Sequence, residues 1–364
     1  MSRFARTGRV FFFEEPVFET CSPYLRSSVC PKTGVHVLTP VLPDGLSPAE
    51  VTRYQQSFIT SAIAENQVRN YVAWYYTPMA KEFTEKLRPA ATVYDCMDEL
   101  SCFAGAPPAM RGNELTLFDE ADLVFTGGRT LYESKKKQHG SVHLFPSSVD
   151  VPHFARARML VEEPPDQAAL PHPKLGYAGV IDERIDLELI RRVAELRPGR
   201  QLVFLGPVVK IDPACLPRAA NIHYLGMKQY ADLPAYFSGW RVGLLPFALN
   251  EATRFISPTK TPEYLAAGLQ VISTSIRDVV SPYGDQCLAR IVNNAQEFVE
   301  AGDAMLANAP DRDFRARVDN FLSQSSWEST WSEMNHLIRR VLDNSVAGKM
   351  PLNKNALGSA VHAV

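Results

Sequence analysis

The stretch SPTKTPEYLAAGLQVIST, residues 257–274, decides how the rest of the chain reads. Thr261 can cap a short helix, Pro262 suits its first position, and Gly268 can end it ahead of an apolar strand at 271–273. Lys260 then stands beside a helix N-terminus, where a cation opposes the macrodipole unless an anion lies between them. A bound phosphate is such an anion. Glu263, in the first turn, can accept hydrogen bonds from sugar hydroxyls at the same mouth. Turn, cation, helix start and carboxylate together describe a nucleotide-sugar site. The competing description is a solvated Lys/Glu pair on a surface helix.

Outward from this motif the second half alternates strands and helices. Strands are expected at 174–178, 201–205, 222–224, 242–246 and 271–273, with helices at 186–197 and 230–237, in the motif, and at 296–307 and 311–322. The first half reads the same way, with strands at 9–13, 36–39, 71–76, 92–95, 123–126 and 142–145. Its helices are expected at 47–70, through 114–121 and through 130–137. Such alternation is the signature of doubly wound α/β domains, which bind ligands at the carboxyl ends of their strands. A proline-rich, acidic segment at 151–174 reads as a linker. The expected division is 1–160, 161–325, a helix over 326–344 packing back on the first domain through Trp327 and Trp331, and a disordered tail over 345–364.

At 364 residues the chain is too long for one compact core, in keeping with two domains. A formal net charge of −2 gives no global attraction to nucleic acid, so an anionic ligand has to be met by local cations. The six cysteines, Cys21, Cys30, Cys96, Cys102, Cys215 and Cys287, form no CxxC pair and no zinc-type spacing. They read as free thiols of a reducing compartment. The apolar run at 10–13 is too short for a signal peptide, and no run could span a bilayer. A cytoplasmic protein is expected, and the basic run 135–137 followed by His139 offers contact with anionic lipid on the inner face of the membrane. The rival role for those lysines is to complement a helix C-terminus.

KLGYAGVIDERIDLELI, LVFLGP, NIHYLGMKQYADLPAYFSGWRVGLLPF and SPTKTPEYLAAG resemble the donor-binding domain of GT-B glycosyltransferases, of the retaining bacterial glycosyl-transferases group 1 type. In the first half, VYDCMDELSCF, EADLVFTGGRTLYESKK and LFPSSVDVPHF resemble the acceptor domain and crossover of the same enzymes. The resemblance implies two Rossmann-like domains facing across a cleft. It also implies transfer of a sugar from a UDP- or GDP-linked donor to a hydroxyl of a saccharide or lipid-linked saccharide, in cell-surface polysaccharide synthesis.

Residue by residue, the resemblance places the donor diphosphate at Gly179, Arg184, Lys260, Ser257 and Thr259, with Arg184 and Lys260 paired across it. The two cations would stabilise the departing diphosphate, so no metal and no other cofactor is expected. Glu263 corresponds to the ribose-binding glutamate, and Gly226 and Met227 to the nucleobase contact. Asn250, Glu251 and Arg254 are candidates for the sugar pocket, because the position of the relatives' second glutamate is Phe255. Asp95 and Asp98, after the strand at 92–95, are the candidate catalytic acids for orienting or deprotonating an acceptor hydroxyl. Gly127, Gly128 and the segment 147–150 read as architecture at the cleft and hinge.

One expectation concerns the start of the chain. SRFART reads as the end of a first helix, so either the start of the chain is set too late or the strand and loop that normally open such a domain are missing from the first sheet. Two other functions fit the same plan: a nucleotide-sugar epimerase, for which His36, His143, His153, His172 and His223 would have to cluster, and a non-catalytic nucleotide-sugar binding protein.

Overall fold

The structure is a computed structural model in which residues 1–160, 162–324 and 326–347 are described, the last three for their backbone alone. In chain order the strands are β1 Phe11–Phe13, β2 Val17–Phe18, β3 Tyr24–Val29, β4 His36–Leu42, β5 Val72–Tyr75, β6 Ala91–Cys96, β7 Leu123–Thr126 and β8 Val142–Leu144 in the first half. The second half has β9 Lys174–Ala178, β10 Gln201–Leu205, β11 Ile222–Tyr224, β12 Trp240–Leu245, β13 Gln270–Thr274 and β14 Ala289–Val292.

The second half forms one parallel sheet in the order β11-β10-β9-β12-β13-β14. β9 and β10 are buried along their whole length, as runs such as KLGYA and QLVFL require of central parallel strands. Helix Leu187–Leu196 begins where the Asp186 carboxylate accepts a bond from the Leu189 N–H at 2.8 Å, and it buries Leu189, Ile190, Val193 and Ala194. Its apolar stripe, spaced by three and four, covers the sheet. The strand order reverses between β9 and β12, and the carboxyl ends of strands at such a reversal are where doubly wound sheets form their binding crevice.

The first half holds two separate sheets among the described residues. β5-β6-β7-β8 is parallel, while β4 pairs with β1 and β2 on one edge and antiparallel with β3 on the other. Aromatic contacts, not a strand, connect them: Phe12 lies 6.4 Å from Tyr76 and Phe13 5.6 Å from Phe83, centroid to centroid. Phe4 packs on Trp74 at 5.4 Å and on Trp331 at 6.1 Å. Helix Trp327–Ala347 covers the β5–β8 sheet, with Ile338 buried among Val93, Leu123, Phe125 and Phe145. Trp331 joins this packing, but Trp327 stays exposed, contrary to expectation.

Several expectations need correction. The segment 151–174 is not a bare linker: it carries short helices Val151–Ala155 and Pro165–Ala168, and Phe154 and Ala157 pack in the core of the second half. A boundary at 160 therefore cuts through that core. Helix Pro48–Glu65 stops earlier than expected, where the Asn66 side chain bonds back to Ala62 O and Gln67 turns left-handed at φ +50°. β2, β3 and β14 went unrecognised because they are short or lie on exposed, polar sequence. Residues 348–364, most of the expected tail, lie outside the described residues.

Candidate active site

The motif of residues 257–274 forms helix Lys260–Ala266 followed by β13. The helix starts two residues earlier than expected, with Thr259 as N-cap making no side-chain bond. Thr261 is inside the helix and buried, so it is not the cap. Tyr264 fixes the helix against the crevice, since its fully buried hydroxyl accepts the Ala178 N–H at the end of β9 at 2.7 Å. The anion that Lys260 requires is already present: its ammonium lies 2.6 Å from Glu263 Oε2 in the same turn. Burial pushes the Glu263 carboxyl up, and Lys260 and His153 pull it back. His153 stacks on Tyr230 at 4.4 Å and 9° beside that carboxylate.

Arg184 comes from the loop after β9. Its guanidinium holds Asp182 through Nε at 2.9 and 3.0 Å and Nη2 at 2.7 Å, and these bonds keep its pKa above the ordinary value. Arg184 O accepts the Ala248 N–H at 2.8 Å, which ties this loop to the one after β12. Each expected diphosphate cation is thus closed on its own carboxylate, and no contact joins Arg184 to Lys260. Their expected pairing is one across a bound diphosphate, and each meets its own carboxylate where no diphosphate lies between them. Gly179 sits at the crevice, its N–H bonded to Leu205 O at 2.9 Å.

The other donor-side candidates surround this core. Gly226 turns left-handed at φ +70° and its carbonyl accepts the Gly206 N–H at 2.9 Å, while Met227 is 74 % exposed. Asn250 Nδ2 donates to Glu183 O at 3.2 Å, Glu251 and Arg254 form an exposed pair, and Arg254 lies over the Phe255 ring. Phe255 packs against the core of the first half, which gives its position a structural occupation in place of a sugar contact.

From the first half, the two candidate acids part company. Asp98 is half-buried; burial raises its carboxyl above the usual carboxylate range, and the charge of Arg184 offsets part of that rise. Asp95 is 5 % exposed and accepts a bond from Trp74 Nε1 at 3.1 Å, with Oδ1 lacking any partner. Successive β6 residues face opposite ways. Val93 lies on the face covered by the C-terminal helix, and Asp95 follows it toward Trp74, which commits the Asp95 carboxylate to the packing of the first half.

Three contacts across the cleft left no readable signal in the sequence. The Phe103 ring meets both Arg184, whose Cζ is 5.4 Å from its centroid, and Lys210, whose Nζ is at 5.7 Å. The Ala104 N–H donates to Glu183 Oε1 at 3.3 Å. Asp278, buried in the second half, accepts bonds from the Thr130 N–H at 3.1 Å and from its hydroxyl, so it caps first-half helix Arg129–Lys135. Ser257 and Asp278 press so close to Gly128 that a Cβ there would lie 2.8 and 2.3 Å from them. The basic run does not present three lysines: Lys135 is 2 % exposed and bonded to Glu99 and Glu114 at 3.0 and 2.9 Å. The histidines are dispersed, His143 with Ser141, His223 with Gln201 and His172 with Glu163, which offers no assembled pair for epimerisation.

No protein-family model matches the chain. It is 23 % identical over 296 residues, 74 % of its own length and 68 % of the relative's, to the putative teichuronic acid biosynthesis glycosyltransferase TuaH of Bacillus subtilis. Its fold matches sucrose-phosphate synthase of Thermosynechococcus elongatus with a TM-score of 0.68, at 16 % identity over 94 % of this chain and 91 % of that one. It also matches an Anabaena protein, HepE, solved in complex with UDP, with a TM-score of 0.61 at 11 % identity over 83 % and 86 % of the chains. No helix among the described residues is long and apolar enough to cross a membrane. A crevice at the strand-order reversal, flanked by loops of both halves, and these two kinds of likeness agree: the chain is a glycosyltransferase of the GT-B fold.

Proposed function

We propose that the chain moves a sugar from a UDP- or GDP-linked donor to a hydroxyl of a saccharide or lipid-linked saccharide in the cytoplasm, as a step in building a cell-surface polysaccharide. The observation that carries this reading is the contact of the Arg184 loop with the first half beyond the β9/β12 reversal, where Arg184 lies 5.4 Å from the Phe103 ring centroid and Glu183 accepts the Ala104 N–H at 3.3 Å. A guanidinium there can take up the charge of a departing nucleoside diphosphate without a metal ion. A carboxyl whose pKa burial has raised, as at Asp98, is a better proton acceptor for a sugar hydroxyl than an ordinary aspartate. Glu263 would hold the ribose, the backbone at Gly226 and Met227 the base, Gly179, Ser257, Thr259 and Lys260 the phosphates, and Asn250, Glu251 and Arg254 the transferred sugar. Lys260 stands 2.6 Å from Glu263, so in this reading a bound donor shares that ion pair.

The HepE structure is described as a UDP complex, and the Bacillus relative is named for teichuronic acid biosynthesis; both support a UDP-linked donor and a polysaccharide product. A panel of UDP- and GDP-sugars, with nucleotide release measured before and after addition of acceptor saccharides, tests the reading. Release that rises only with acceptor is the expected outcome. Nucleotide binding with no release under any acceptor would leave a binding protein instead.

A further inference from the structure

Lys210 lies in the loop after β10, and its backbone is left-handed at φ +61°, a conformation uncommon for a residue with a side chain. Such a conformation is kept where surrounding structure holds it. Here the holding bonds are visible. Ile181 and Val208 form a parallel bridge, the Ile181 N–H donates to Pro207 O at 2.9 Å, and the Val209 N–H donates to Ile181 O at 3.0 Å. The loop of Lys210 is therefore stapled to the loop of Arg184, and both leave the carboxyl ends of neighbouring strands. Both cations meet at one ring, Phe103.

Most of the candidate donor-side cations already have a carboxylate partner. Arg184 is closed on Asp182, Lys260 on Glu263 and Arg254 on Glu251. Among the described residues Lys210 has no carboxylate within ion-pair distance, and the Phe103 ring is its recorded contact. A neutral ring attracts an ammonium more weakly than a phosphate oxygen does. Two cations drawn to one ring from bonded neighbouring loops can both reach an anion that takes the place of that ring.

We propose that Lys210, with Arg184, holds the pyrophosphate of the nucleotide donor and leaves the Phe103 ring to do so. This rests on the reading of Arg184 as a donor-site cation. It moves the partner of Arg184 from Lys260, which has its own carboxylate, to a residue whose loop is bonded to that of Arg184.

The test is calorimetry of UDP, GDP, uridine and guanosine with the full chain and the variants Lys210→Asn, Lys210→Arg and Arg184→Gln. Asparagine tolerates the left-handed backbone, so Lys210→Asn removes the charge and keeps the turn. The expected result is UDP or GDP binding weakened at least about tenfold by Lys210→Asn, and within about threefold of the parent for Lys210→Arg, with nucleoside binding unchanged. Equal loss of nucleoside and nucleotide binding would mark a structural role and overturn the proposal. If Arg184→Gln weakens the diphosphate and Lys210→Asn does not, this inference fails and the donor-site reading stands. If neither variant weakens it, or neither diphosphate binds the parent chain, both fail together.

Discussion

At the scale of single residues, the site is a set of charges whose partners the fold has already chosen. Lys260 lies against Glu263, whose burial favours its protonated form. Lys260→Ala removes the cation that keeps that carboxylate ionised as well as a donor to phosphate. Binding of UDP or GDP should weaken by about 1–3 kcal/mol, the usual loss of a charge-assisted hydrogen bond. Calorimetry that finds equal affinity removes Lys260 from the site. Asp95 makes a different prediction, because burial pushes its carboxyl up to about 6 from an ordinary 3.8. Between those two values the folded chain keeps a proton that the unfolded chain has released, so this group lowers stability as pH rises through the window. Above about 6 the cost is complete, on the order of 2–3 kcal/mol. Asp95→Asn should therefore be no more stable than the parent near pH 4 and increasingly more stable up to about pH 6.5. Denaturant midpoints of the two proteins across this range check it, and a constant difference would show that Asp95 does not titrate as its burial implies.

At the scale of elements, the decisive pieces are the loops at strand ends, and Gly206 shows why. Its φ is +143°, and a Cβ built on it would lie 1.9 Å from the carbonyl oxygen of Gly179. Gly206→Ala must push apart the loops after β9 and β10. A loss of about 3 kcal/mol in stability is expected, with weaker nucleotide binding, since Gly179 and Arg184 share the displaced loop. Unchanged thermal denaturation would mean the two loops are looser than their bonds suggest. Much of this was legible beforehand. The apolar runs at 174–178, 201–205, 222–224 and 123–126 announced strands whose ends coincide with those observed. Their loops were readable only in part, because a loop's contacts come from chain far away: Glu183 meets Ala104, and Lys210 meets Phe103.

At the scale of the whole molecule, the two halves are held together by bonds that each half needs for itself. Helix Arg129–Lys135 has no capping side chain of its own, and Asp278 of the other half supplies one. Beside it, Arg277 pairs with Glu133 at 2.6 Å. Asp278→Ala should cost about 1–2 kcal/mol, the usual loss of an N-cap, and shift the protein toward a more open relation of its halves. Small-angle scattering and denaturation report the two effects separately. A radius of gyration equal to the parent's, together with an unchanged midpoint, would show that the cap is redundant.

The sequence by itself determined the class of fold, the positions of most strands and the region of the donor-side motif. It could do so because hydrophobic period, helix stops and a cation beside a helix start are local properties of the chain. Only the tertiary structure decided which charge answers which. Lys260 takes Glu263, Arg184 takes Asp182, Asp98 stands by Arg184 while Asp95 turns to Trp74, and Lys210 and Asp278 enter the cleft unannounced. These pairings depend on distances between loops that leave different strands, and such distances are set by sheet order and by the packing of one half on the other.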